Sequence, residues 1–278
     1  ILGPTTAAEL HADTAPYKDV PATSEFAGYI AYCAKEGIIS GYADGTFKPG
    51  NTLTGYAFMK MLLGALGYDA SIEGYTGGNW SINVAKQALG IGLNDGLKGE
   101  FNGTKAVTRE EACLYAFNTL KATMVEYDEK TTINVGGAQV TLQGKAQDVS
   151  WGTATLNDGN IDADGYVQFA EKYFTKLVAG DDTDAFGRPA TTWTYNTGDK
   201  ETTFVKKADA SYTTAVTQCD VAKDVGVKTN KTFITYTNGM VNASNDTIVA
   251  TQTVQKIGAQ GRLTEVYMDA GVIVYIDT

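Results

Sequence analysis

One histidine, three cysteines and five prolines are all that the 278 residues contain of those types. The lone histidine, His11, excludes a two-histidine zinc helix and every multi-histidine metal centre, because each needs several imidazoles at one point. A Ser-His-Asp or Cys-His system could draw only on His11, and the stretch around it, Leu10–Thr14, reads as a surface loop. Composition therefore tilts away from an enzyme, and no cofactor is expected. The cysteines, Cys33, Cys113 and Cys219, are too few and too far apart for a disulfide framework or a Cys-x-x-Cys site. Cys33 and Cys113 fall on apolar faces of predicted helices, where a free cysteine behaves as a small hydrophobe. Basic charge is scarce too: 22 Lys and Arg against 32 Asp and Glu give a net charge of −10. Nucleic-acid backbones and anionic membranes both require a basic face, so neither is an expected partner. No apolar run approaches the ~18 residues of a membrane span, and no basic-then-apolar leader opens the chain.

What is present is a globular composition, 43% hydrophobic, at a length that suits two domains of roughly 100–200 residues. The abrupt apolar opening Ile1-Leu2-Gly3-Pro4 reads as the edge of a piece processed or trimmed from something longer. The texture changes near residue 125. Before it the apolar period is helical: Phe26, Tyr29, Ile30, Cys33 and Ala34 line one face. Phe58, Met61, Leu62, Ala65 and Leu66 repeat that spacing, and Cys113, Ala116, Phe117 and Leu120 do so again. After it lie 25 of the 37 threonines, among short Val/Ile/Tyr/Thr runs cut by Gly, Asn and Asp. Strands are predicted at Thr131–Val135, Gln139–Leu142, Thr202–Val205, Thr232–Thr237 and Thr247–Val254. Leu263–Met268 and Val272–Ile276, joined by Asp269-Ala270-Gly271, predict a terminal hairpin. A single helix, Val167–Leu177, is expected to interrupt this β-rich part.

The helical part repeats itself. Phe26 and Trp80 are 54 residues apart, as are Phe47 and Phe101, and Thr54 and Thr108. Gly37-Ile38-Ile39-Ser40-Gly41 answers Gly92-Leu93-Asn94-Asp95-Gly96 with a one-residue slip. Each unit reads as helix, Gly-bounded loop, aromatic anchor, then a threonine opening a second helix. Met61–Gly67 and Tyr115–Leu120 match as helix ends, and Ile1-Leu2-Gly3 looks like a third such end, implying an earlier repeat before residue 1.

Three runs carry a family likeness: Tyr17-Lys18-Asp19-Val20-Pro21, Tyr29-Ile30-Ala31-Tyr32, and Gly37-Ile38-Ile39-Ser40-Gly41-Tyr42-Ala43-Asp44-Gly45-Thr46-Phe47-Lys48-Pro49. With Trp80 and Thr108-Arg109-Glu110-Glu111 in the second unit, residues 1 to about 122 resemble bacterial S-layer homology (SLH) repeats. The resemblance implies an all-α, pseudo-threefold SLH bundle with its first repeat mostly missing, and the β-rich texture after it makes the whole an α+β chain ending in a mainly β domain. Its divisions are a tail of a preceding repeat (1–15), repeats at 16–70 and 71–124, and a β-rich surface domain (125–278). It also implies a Gram-positive cell-wall location and binding of secondary cell-wall polysaccharide, often through a pyruvylated sugar. Gly67-Tyr68-Asp69 and the stretch Asn79–Leu120 look closest to SLH proteins of gut anaerobes, the Clostridia. Two positions depart from the family pattern. Thr54-Gly55-Tyr56-Ala57 lacks the expected Arg and Glu, and Gly99-Glu100-Phe101 stands where Gly-Thr-Phe is usual.

The motifs also have plain physical readings. Thr108-Arg109-Glu110-Glu111 is a capping box, worth about 1 kcal/mol of helix stability. That explains Thr108 and Glu111 and leaves Arg109, whose charge opposes the helix dipole. It is either an ordinary surface charge or a forked contact to an anionic ketal or carboxylate. Asp44-Gly45-Thr46 is a tight turn that would also serve as a groove wall. Trp80 is either core or a stacking surface for a sugar ring. Farther on, Asn160-Ile161-Asp162-Ala163-Asp164-Gly165 through Glu171 matches the spacing of a twelve-residue calcium loop. Asn160, Asp162, Asp164 and Glu171 are the candidate ligands. The alternative is an Asn/Asp/Gly-rich loop entering a helix. Three functions are compatible with these features: a wall-anchored surface protein, a subunit self-associating into a layer or filament, and an enzyme on surface glycans. The first is the primary expectation.

Overall fold

The computed structural model describes residues 6, 9–128, 131–135, 138–142, 144–152, 157–196, 198, 201–227, 236–237, 240–241, 256–269 and 271–278. Both helices and sheets are present, and the chain forms two compact units, Ile1–Lys176 and Leu177–Thr278. The opening Ile1-Leu2-Gly3, the strand expected at Thr247–Val254 and all of that expected at Thr232–Thr237 except its last two residues lie outside the described residues.

The first unit contains α1 (Ala27–Lys35), α2 (Gly55–Leu66), α3 (Trp80–Gly90) and α4 (Arg109–Lys121). Start and stop signals are local. The Thr54 hydroxyl accepts from the Ala57 amide at 3.3 Å, and Gly67, at φ +106°, ends α2 in a left-handed turn. α2 sends Met59, Leu63 and Leu66 into the core, where they meet Val84 and Ala88 of α3, Leu93, and Tyr115 of α4. Each such side chain contributes about 1.5–3 kcal/mol on burial. The i, i+4 spacing of Met59 and Leu63 on one helix and Val84 and Ala88 on the other makes these two stripes meet.

The helices are rotated from the faces that apolar period predicts. In α1 it is Ala27 and Ile30 that pack, with Val20, Tyr17 and Phe47, while Phe26 and Tyr29 remain 58% and 42% exposed. In α2 the fully buried line is Met59–Leu63–Leu66, with Phe58, Leu62 and Ala65 along its margin. In α4 Cys113 is exposed, correcting its expected burial. Polar residues set that last rotation. The Asn118 amide donates to the carbonyls of Leu93 (3.1 Å) and Asp95 (2.8 Å), and the Thr119 hydroxyl donates to that of Tyr115 (2.8 Å). A polar side chain that satisfies buried backbone groups belongs inside, and an apolar stripe does not register it.

After α4 come β1 (Val125–Tyr127), the hairpin β2 (Thr131–Val135) and β3 (Ala138–Leu142), and β4 (Ala146–Asp148), which pairs antiparallel with β1. The change of texture at 125 is therefore a real change of element, yet the compact unit continues to Lys176. Met124, Val125 and Phe169 belong to the same core as α2 and α3. The predicted helix is short: α5 spans Phe169–Tyr173, and Leu177 already begins a strand.

That strand, β5 (Leu177–Thr183), pairs with β6 (Pro189–Tyr195), which pairs with β7 (Thr202–Val205). Proline stands at the first residue of β6, where a missing amide does least harm. The turn between β5 and β6 is closed by Arg188 and Asp184, 2.8 Å apart. The rest of the second unit comprises β8 (Ala210–Tyr212), β9 (Val216–Thr217), α6 (Gln218–Asp224), β10 (Tyr236–Thr237), β11 (Met240–Val241), β12 (Lys256–Ile257), β13 (Thr264–Asp269) and β14 (Val272–Asp277). A five-stranded sheet runs in the order β10-β11-β14-β13-β8, and β9 pairs with β12. The predicted terminal hairpin is β13–β14, with a register shift at Tyr267/Met268. Its inward residues Val266, Ile273 and Ile276 pack with Val221 and Ala222 of α6 and with Ile257. Among the described residues no helix is long and apolar enough to cross a membrane.

Candidate functional site

The Asp44-Gly45-Thr46 turn forms as expected, and its side chains are occupied in making it. The Asp44 carboxylate accepts from the Thr46 amide (3.0 Å) and hydroxyl (2.6 Å), and Gly45 takes φ +81°. Two residues of the preceding segment hold the turn. The Lys18 ammonium donates to the Asp44 carbonyl at 2.6 Å, and Asp19 accepts from the amides of Phe47 (2.8 Å) and Lys48 (2.7 Å). Lys48 itself sits at φ +58°, so this clamp sustains a left-handed lysine. Tyr17 stacks on Phe47 beneath it, with ring centroids 5.4 Å apart.

The Phe47 amide bond is the main cause that holds the Asp19 carboxyl below its ordinary value, and the Thr46 hydroxyl does the same for Asp44. A depressed folded value means the stabilisation is complete above the unfolded carboxylate range and fades as pH falls through the folded one. We expect the melting temperature of the wild type to drop on acidification below the ordinary value of 3.8, with a shallower acid limb in Asp19→Asn. Equal slopes in a pH series of thermal melts would show that the clamp carries no linkage.

Entry into the second helix of each repeat is where the two copies diverge. At α4 the box is complete: the Glu111 carboxylate accepts from the Thr108 amide (2.7 Å) and the Thr108 hydroxyl accepts from the Glu111 amide (3.2 Å). Arg109 follows as an exposed residue, with no ion pair among the described residues. At α2 the corresponding N-terminus is closed by backbone. The Gly55 amide donates to Lys105 and the Tyr56 amide to Gly103, while Leu53 accepts from Val107. Tyr56 covers Gly103 so closely that a Cβ there would lie 2.3 Å from the ring. Its ring meets Trp80 edge-on at 6.4 Å and Phe101 at 5.7 Å.

Trp80 is thus a half-buried member of an aromatic cluster packed on the core, with the Lys60 ammonium 5.8 Å from its ring centre. Among the described contacts none joins the Asp44–Thr46 turn directly to Trp80 or Arg109. Tyr56 and Phe101 connect Trp80 to the loop that enters α4. Apolar periodicity passes over Tyr56 and Lys60, which both lie against Trp80. The available signal is the i, i+4 relation of Tyr56 and Lys60 on α2.

The four candidate calcium ligands are engaged with the protein itself. Glu171 is 0% exposed, and its two oxygens accept from the amides of Ile161 (3.0 Å), Asp162 (3.4 Å) and Gln168 (3.2 Å) and from the Trp151 indole (3.3 Å). Asp164 accepts from the Tyr166 amide and the Gln168 side chain, and the Asn160 amide donates to the Thr175 carbonyl. Burial, with Asp164, Glu171 and Asp158 nearby, raises the Asp162 pKa. Among the described residues no three His, Cys, Asp or Glu side chains are gathered to hold a metal ion. Instead, the Glu171 carboxylate caps the start of α5 by accepting from the Gln168 amide, the half of a capping box that Glu111 supplies at α4. Val167-Gln168-Phe169-Ala170-Glu171 therefore repeats the role of Val107-Thr108-Arg109-Glu110-Glu111, with Phe169 in the arginine's place.

Comparison with known proteins bears on the first of these units. Residues 16–55 match the S-layer homology domain. The matched span takes in the Asp19 clamp, the Asp44–Thr46 turn and the Thr54 cap. The chain is similar to the middle cell wall protein of Brevibacillus brevis, 28% identical over 51% of this chain and 13% of that protein. It is similar also to the surface layer protein of Brevibacillus choshinensis, at 31% identity over 32% of the chain and 8% of that protein. An endoglucanase of a Bacillus species is 28% identical over 55% of the chain and 17% of its own length. The chain thus covers less than a fifth of each relative. No solved structure matches it. The S-layer homology domain and the two wall and surface-layer relatives indicate a cell-surface location. They do not extend the likeness to the Clostridia.

Proposed function

We propose that the first unit anchors this chain to the cell wall by binding an acidic secondary wall polysaccharide, and that the second unit is displayed outward without catalysing a reaction. The observation that carries this reading is the S-layer homology domain at residues 16–55, repeated in α3 and α4 with the Thr54 cap answered by Thr108. Arg109 is the cation of the second repeat. It is exposed at a helix start that its charge disfavours, and an anionic ketal or carboxylate would reverse that penalty. The turn Asp44-Gly45-Thr46 serves as a rigid wall, and Trp80 offers the margin of its ring to a sugar. The pseudo-threefold arrangement belongs to the same reading.

Sedimentation with purified sacculi tests it, before and after hydrofluoric acid has stripped their secondary polysaccharide. Binding should disappear on stripping, and Arg109→Ala should weaken it about tenfold, the loss of one charge-assisted contact. Equal binding to stripped and intact sacculi would exclude the polysaccharide as partner.

A second reading, self-association, draws on β7. Its four residues are exposed, Phe204 by 57%, and it lies at the edge of its sheet. Open edges of that kind pair with other chains. Sedimentation velocity across a concentration series separates the two readings, because anchoring alone leaves the chain's mass unchanged.

A further inference from the structure

The first repeat has glycine, not arginine, after its threonine cap, and the segment around Gly103 packs tightly against that position. A Cβ at Gly55 would lie 3.1 Å from the Gly103 Cα and 3.3 Å from the Asn102 carbonyl oxygen. The helix N-terminus is already met by the carbonyls of Lys105 and Gly103. A ligand approaching this repeat would have to find its positive charge elsewhere.

Lys60 stands farther along α2, on the same face as Tyr56. Its ammonium lies 3.4 Å from the Ser40 hydroxyl, at the long limit of a hydrogen bond, and 5.8 Å from the centre of the Trp80 ring. Ser40 comes from the loop after α1, which packs against α2 where the Gly37 carbonyl and Ile38 approach Gly64. Three segments thus converge: the end of that loop, the middle of α2 and the start of α3. Among the described residues Lys60 has no carboxylate partner, whereas Lys48 has Asp44 at 3.8 Å and Lys206 has Asp181 at 2.7 Å. It is also half-buried, and that burial lowers its pKa. An ammonium has three protons to donate. Withdrawn in part from water, with one weak hydroxyl acceptor and no counter-charge, it is costly to keep unless something supplies an anion. The surroundings narrow the choice. Trp80 and Tyr56 provide apolar ring surface of the kind on which pyranose rings lie, and Ser40 can donate or accept beside it.

We propose that Lys60, with Ser40, Tyr56 and Trp80, forms a second anion-reading subsite, specific for a sugar ring that carries a carboxylate. The inference rests on the wall-binding reading and deepens it: the charge moves from the helix start in the second repeat to the helix middle in the first.

Two measurements on the whole chain test it. In the sacculus assay Lys60→Met, which keeps the stem and removes the charge, should lose about tenfold in affinity with no fall in melting temperature, and Lys60→Arg should recover most of the binding. Wild-type binding by Lys60→Met, beside a clear loss in Arg109→Ala, would overturn the subsite and leave the anchor standing. The second measurement follows the Lys60 side-chain NMR signal during titration with sodium glucuronate and, separately, glucose. A saturable shift with glucuronate and none with glucose is expected, and it is to vanish in Ser40→Val combined with Trp80→Leu. Response to glucuronate without any wall binding would keep the subsite and remove the anchoring reading. Response to neither sugar would remove the subsite.

Discussion

Replacing Glu171 by glutamine will destabilise the first unit by roughly 2–4 kcal/mol, the largest single loss expected from a change of one oxygen to nitrogen in this chain. The reason lies in the donors around it. Three backbone amides and the Trp151 indole converge on a carboxylate that is 0% exposed. A glutamine oxygen can keep one side of that arrangement, but its NH2 group then faces N–H donors on the other. Buried donors left without acceptors bear the full desolvation cost. Calorimetry of the whole chain reads the effect as a downward shift in one transition, with that of the second unit in place. The same experiment in millimolar calcium and in chelator should give superimposable traces. A calcium ion held at one hundred times its dissociation constant would add about 2.7 kcal/mol. A stabilisation of that size in wild type, absent in Glu171→Gln, would return the loop to the calcium reading.

The next largest effect is expected at Gly67, where α2 ends and the β-rich segment lies against it. Its φ of +106° alone makes any side chain unfavourable, and a Cβ would stand 2.2 Å from the Val125 carbonyl oxygen, a backbone atom with no side-chain freedom to yield. Left-handed strain of about 1–2 kcal/mol and overpacking of about 1–3 kcal/mol both apply, so Gly67→Ala should cost about 3 kcal/mol. Gly37→Ala is the control. Gly37 also has a positive φ, +72°, but a Cβ there meets nothing within 4 Å, which leaves the conformational cost alone. Urea denaturation of both variants decides the matter. Equal losses would mean that Val125 yields and that the joint between α2 and β1 is loosely packed.

Both predictions turn on contacts between segments far apart in the chain, and neither is visible in the residues alone. What the amino-acid sequence does make legible is local. The Thr108–Glu111 capping box, the Asp44–Gly45–Thr46 turn and the Thr54 cap each arise from residues a few positions apart, whose side chains bond their own backbone, and the β13–β14 hairpin pairs two neighbouring segments. The 54-residue repeat is legible for the same reason, since each copy repeats its own punctuation. A third use of that punctuation, at Val167–Glu171, is hidden because Gln168 and Phe169 replace threonine and arginine, and because the acidic loop before it resembles a cation site. β5 and β6 escape notice since Leu177–Thr183 has no clean alternation and draws its order from seven cross-strand partners.

Helix rotation lies beyond local reading altogether. Asn118 turns α4 by reaching two carbonyls of the loop after α3, and so exposes Cys113. Gly103 closes the start of α2 and leaves Lys60 as its cation. Caps and turns need only their neighbours and are written along the chain. Faces, buried polar partners and the place of a binding charge depend on which distant backbone arrives beside them, and packing alone settles that.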